Sequence, residues 1–162
     1  MKKIFLIFFI LLFSAFVASA ELTSLIVPLN DSDIPKGIRP LIKEGYRIYF
    51  QGFDENLMEF ICNDEASASL LLNEFINSKG GYTIQDYSNY SYKGIKGFRY
   101  VSPWGKGYAL QNKNKVYIFS SPSGNESNIR ILLENKFGKE FPYYYLAFLV
   151  IPIGIVLYKL RK

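Results

Sequence analysis

The chain has 162 residues, of which 49% are hydrophobic, 17% aromatic and 20% charged, with no histidine and one cysteine. The apolar content excludes a disordered or fibrous chain. The missing side chains exclude Ser-His-Asp and Cys-His nucleophile systems, histidine metal sites and Cys-x-x-Cys zinc or redox motifs.

Charge points first to the two ends. The formal net charge of +5 is accounted for by Lys2, Lys3, Lys159, Arg161 and Lys162, so the body of the chain is balanced and lacks the basic excess of a nucleic-acid binder. Lys2 and Lys3 precede an uncharged apolar run over residues 4–17, and Ala18-Ser19-Ala20 forms a small-x-small cleavage site before Glu21. A secretory signal peptide over residues 1–20 is expected. The competing reading is an uncleaved anchor, because a helix over residues 4–20 would reach about 25 Å.

Residues 21–140 then make one domain of ordinary size. Asn30-Asp31-Ser32-Asp33 gathers oxygen-bearing side chains, but Ile34-Pro35 stands where a calcium loop needs glycine and the later glutamate is missing, so an Asx-rich turn is expected. Tyr46, Ile48 and Phe50 alternate with Arg47, Tyr49 and Gln51. Gly52-Phe53-Asp54-Glu55-Asn56 supplies turn residues, and Met58, Phe60 and Cys62 resume the alternation, which predicts a hairpin. Asn63 or Asp64 can cap a helix with the apolar stripe Ala68, Leu71, Leu72, Phe75 and Ile76, ended by Gly80-Gly81. Strands follow at 82–87, 95–101, 108–111 and 115–120. Gly105-Lys106-Gly107 reads as a hairpin turn, since the third glycine of a dinucleotide loop is absent. A capping box from Ser123 to Glu126 opens the last helix, which turns Ile129, Leu132, Leu133 and Phe137 inward and stops at Gly138.

The expected order is β-β-α-β-β-β-β-α, an α+β sandwich of two layers in which an antiparallel sheet carries both helices on one face. Two strand-strand-helix units suggest a weak internal repeat, although the residues they share are those the helix period demands.

Residues 141–160 carry no charge before Lys159 and as a helix span about 30 Å, the thickness of a bilayer core. Tyr143, Tyr144, Tyr145 and Tyr158 suit the headgroup boundaries, and residues 161–162 are basic. A transmembrane helix in membrane lipid is expected, with the cations at both chain ends cytoplasmic and the domain outside the cell membrane. The topology is single-pass if the signal is cut and two-pass if it is not. Gly138, Lys139 and Glu140 alone separate the last helix from this segment and span about 10 Å when extended, so the domain has no stalk.

Asn30, Asn89 and Asn125 each begin an Asn-x-Ser sequon and are candidate glycosylation sites. Asp54, Glu55 and Glu59 are the carboxylates that could be paired for acid-base work, and no spacing selects a Ser-Lys dyad. Cys62, beside Met58 and Phe60, reads as a buried thiol. No catalytic, cofactor or metal residue is assigned.

The balanced body hides a polarity, with 5 basic and 11 acidic residues over 21–92 against 9 and 3 over 93–142. Lys93, Lys96, Arg99, Lys106, Lys113 and Lys115 follow one another without an acid, interleaved with Phe98, Tyr100, Trp104 and Tyr108. Lys96, Arg99, Trp104 and Lys106 are the candidate partner contacts, on condition that Trp104 is exposed. The competing reading is a strand pair with core aromatics and solvated lysines. The expected function is a non-catalytic juxtamembrane interaction module that binds a neighbouring membrane protein or an anionic envelope polymer such as a glycan. The alternative is a small envelope-directed enzyme using carboxylates or a Ser-Lys pair.

The mature chain is expected to begin at Glu21, which an intact-mass measurement on the native protein checks. A species retaining Met1 and the apolar run contradicts it.

Overall fold

The computed structural model describes residues 22–77 and 83–138. The expected signal peptide, its cleavage site, the transmembrane segment and the Gly80-Gly81 helix stop lie outside the described residues. Among those described, no helix is long and apolar enough to cross a membrane.

Seven strands form one sheet: β1 Ser24–Pro28, β2 Ile42–Phe50, β3 Asn56–Cys62, β4 Asp86–Tyr92, β5 Ile95–Ser102, β6 Gly105–Asn112 and β7 Lys115–Ser121. Helix α1, Glu65–Ile76, follows β3, and helix α2, Glu126–Phe137, follows β7. The spatial order is β1-β2-β3-β7-β6-β5-β4 with every neighbouring pair antiparallel. The α+β class and the antiparallel sheet agree with expectation. Strand β1 was not expected. It is exposed along its whole length and is held by pairing with β2, so no buried-face alternation marks it. Strand β4 begins at Asp86, later than the expected 82.

The helices lie on opposite faces, which corrects the two-layer expectation. Helix α1 buries Ala68, Leu71, Leu72 and Phe75 with Met58, Phe60, Cys62, Ala109, Val116 and Ile118. Helix α2 buries Ile129, Leu132 and Leu133 with Leu57, Leu110, Tyr117 and Phe119. Successive strand residues point to opposite faces, so the neighbours Leu57 and Met58, and again Tyr117 and Ile118, belong to different cores. The result is three layers, helix on sheet on helix. It also rules out a symmetric repeat. A two-fold axis relating antiparallel β3 and β7 would stand perpendicular to the sheet and leave both helices on one face.

Local chemistry sets the helix starts. The Asp64 carboxylate accepts from the Ser67 amide at 2.6 Å, and Asn125 Oδ1 accepts from the amides of Ser127 and Asn128 at 3.1 and 3.4 Å. The box expected at Ser123 and Glu126 is therefore displaced to an Asn125 cap. The expected Gly105-Lys106-Gly107 turn is also shifted. Pro103 and Trp104 make the turn, and both glycines lie in β6. A Cβ on Gly107 would stand 2.1 Å from the Phe119 carbonyl oxygen and 2.4 Å from the Tyr100 hydroxyl. The absent side chain lets Tyr100 cross β6 and bond Ser120 Oγ on β7 at 2.8 Å.

The hairpin register separates the chain ends. Ser24 lies opposite Phe50, at the end of the sheet that holds the β2–β3 and β5–β6 turns. Gly138 leaves at the other end, its carbonyl accepting from the hydroxyl of Tyr92 on the far edge strand at 3.0 Å. There the β4–β5 and β6–β7 turns carry Lys93 and Lys113 at φ of 50° and 55°, a conformation costing a residue with a Cβ about 1–2 kcal/mol.

Leu71→Ala and Leu132→Ala should each cost about 2–5 kcal/mol by cavity formation. Because they lie in separate cores, urea unfolding of the double variant should show additivity within about 0.5 kcal/mol. A larger coupling contradicts the three-layer arrangement.

Candidate functional site

Of the carboxylates singled out in the sequence, Asp54 is exposed while Glu55 and Glu59 are buried, at 1% and 7% exposure. Glu55 accepts from Ser121 Oγ at 2.8 Å, Asn128 Nδ2 at 3.0 Å and Ser123 Oγ at 3.4 Å. Ser121 Oγ in turn accepts from the Asn125 amide at 2.9 Å. These donors are neutral and cluster at the start of α2, where the helix dipole favours an anion.

Glu59 accepts from Lys136 at 2.6 Å and Lys115 at 2.9 Å, and the Lys136 ammonium also lies over the Tyr117 ring at 5.2 Å. Burial acts to raise the Glu59 pKa, but the bonds from Lys136 and Lys115 outweigh it and hold the carboxyl below its ordinary range.

The two glutamates thus grip the two ends of one helix. Four residues of β3 rise about 13 Å, and the eight residues from Asn128 to Lys136 rise about 12 Å in α2, so strand and helix are matched in length. The same spacing argues against catalytic pairing, since glycosidase carboxylates need to stand about 5–10 Å apart across a bond. The roles of Ser121, Asn128 and Lys136 had no sequence signal, because their partners lie 66 to 77 positions away.

The four candidate contact residues do not form one patch. Trp104 is 64% exposed in the β5–β6 turn, which meets the condition set for it. Arg99 and Lys106 converge on Glu126 instead, Arg99 Nη2 bonding its carboxylate and Lys106 Nζ lying at 3.8 Å. The Arg99 bond holds the Glu126 carboxyl below its ordinary range. Burial pushes the phenol of Tyr108 upward, and Glu126 adds to the shift. Lys96 belongs to the opposite face and the opposite end of β5, where it lines a shallow open groove with Asn89, Ser91 and Phe98. The core reading holds for Tyr100 and Tyr108, which are buried.

The remaining candidates fall apart in space. Asn30, Asn89 and Asn125 are exposed. Asn30 begins the expected turn, its amide donating to Asp33 at 2.9 Å. Cys62 is buried, and burial together with Asp64 pushes its thiol up to about 11. Among the described residues, no group of three acidic or thiol side chains could hold a metal ion. Comparison of the chain with family models, curated proteins and solved structures returned no match.

Because the folded pKa of Glu59 lies below its unfolded value, its contribution is present above the ordinary glutamate range and is lost as pH falls through the folded value. Glu59→Gln should cost about 1–2 kcal/mol near neutral pH. The gap from wild type should close as the pH falls below about 4, read by urea unfolding at several pH values. A gap that is constant with pH contradicts the ion-pair role.

Proposed function

We propose that this chain is a non-catalytic interaction module, anchored outside a membrane by residues 141–160 after release of residues 1–20, which binds a neighbouring membrane protein. The observation that carries this reading is Trp104. The only tryptophan of the chain stands 64% exposed at a tight turn, where so large an apolar surface fits an interface anchor. The groups an enzyme could have used support the same choice. Glu55 and Glu59 are engaged in holding α2 and lie too far apart to act on one bond.

A protein partner is favoured over an anionic envelope polymer because the two cations on the Trp104 side of the sheet, Arg99 and Lys106, share Glu126. Their charge is partly offset before any partner arrives, whereas polyanion recognition relies on uncompensated cations.

A photoreactive residue at position 104 should join the chain in cells to a discrete membrane protein. Trp104→Ala should lower co-purification of that neighbour about tenfold while changing unfolding free energy by less than about 0.5 kcal/mol. Recovery of the neighbour at wild-type yield contradicts the proposal.

A further inference from the structure

Five lysines from separate parts of the chain meet at one end of the sheet. Lys93 is in the β4–β5 turn, Lys96 near the start of β5, Lys113 in the β6–β7 turn, Lys115 at the start of β7 and Lys136 in the last turn of α2. This is the end from which the chain leaves at Gly138. Glu59 is shared by Lys115 and Lys136, and Glu134, also in the last turn of α2, pairs with Arg130 at 3.4 Å. Lys93 Nζ donates to the Phe137 carbonyl at 3.3 Å and, like Lys96 and Lys113, lies within ion-pair distance of no acid among the described residues.

Glu44 stands on β2 at the same end, and Asp64 and Glu65 open α1, where Gln111 Nε2 donates both to the Glu65 carbonyl at 3.2 Å and to the Lys113 carbonyl at 3.1 Å, so acids border the lysines on the α1 face. Lys93 and Lys113 both hold positive φ at hairpin tips, where glycine or asparagine is the easier residue. Lysine at both tips concentrates charge at that surface.

We infer that this lysine end is a docking surface for anionic lipid headgroups, with Lys93, Lys96 and Lys113 against the membrane and the strands standing upright on it. The inference rests on the reading of residues 141–160 as a membrane anchor. The tether and the charges favour the same orientation. Residues 138–140 reach about 10 Å, which keeps the exit point near the headgroups, and lysines at that height lie within about a Debye length of the anionic surface. Asp54 and Asp86 occupy the opposite end, which such a surface repels.

This orientation has consequences for both ends of the sheet. Trp104 is carried at the membrane-distal end. The start of β1 is also distal, about 20 Å from the lipid along the strands, farther than residues 21–23 can span. The leader must therefore be released before the lysine end can dock.

The test uses the full chain reconstituted in phosphatidylcholine vesicles with or without phosphatidylglycerol, with single fluorophores on Asn112→Cys or Pro103→Cys. The buried native Cys62 is left in place. With phosphatidylglycerol present, a headgroup-bound nitroxide should quench the label at 112 about threefold or more above the label at 103, given the roughly 20 Å difference in height. That contrast should shrink in neutral vesicles, in high salt, and in the Lys96→Gln, Lys113→Gln variant. Equal quenching at the two positions, stronger quenching at 103, or a contrast indifferent to lipid charge overturns the inference. Flotation after alkaline extraction separates the two failures. A chain that floats without the contrast leaves the anchor intact and overturns docking, while a chain stripped from the vesicles overturns the anchor and docking together.

Discussion

Strand β3 against β7 is the pairing on which the other contacts depend. Each comes from a hairpin formed by sequence neighbours, and their register, Asn56 opposite Ser120 through Ile61 opposite Lys115, joins the two halves of the chain into one sheet. Both strands are buried on both faces, with Leu57, Met58, Glu59 and Phe60 in one and Val116 to Phe119 in the other. Each helix therefore has its own apolar surface on this central pair. Were β3 and β7 to slip by one residue, every side chain would change faces and both cores would be lost together.

The buried glutamates are best understood through that pairing. An isolated carboxylate inside a core is costly, yet Glu55 meets three neutral donors and Glu59 two ammonium groups. They hold α2 at both ends, whereas a purely apolar contact would let the helix slide along the strand. Polar groups with matched partners thus supply register where the hydrophobic effect, being non-directional, supplies only proximity.

The division of charge along the chain becomes a division in space by the same topology. Antiparallel hairpins return the segment after Lys93 repeatedly to the same two ends. The lysines at the β4–β5 and β6–β7 turns gather at one end, and Trp104 is set at the other. The sequence reading grouped Lys96, Arg99, Trp104 and Lys106 because they are near in number, but alternation and hairpin geometry part Lys96 from the other three.

Much of the local structure could be read directly. The Asp64 cap, the Ala68, Leu71, Leu72 and Phe75 stripe, the β2–β3 hairpin and the stop at Gly138 depend on residues within a few positions of one another, where backbone preference and side-chain period act. The four consecutive apolar residues 116–119 also carried a sign of burial on both faces. What the sequence by itself determined is the α+β class, the identity of most elements and the apolar ends, while the exposure of Trp104 was a condition for the structure to meet. Only the tertiary structure decided that the helices take opposite faces, that β1 joins the sheet, and that Glu55 and Glu59 bind a helix. These depend on groups tens of residues apart, and no local periodicity encodes which distant partner a buried polar side chain will meet.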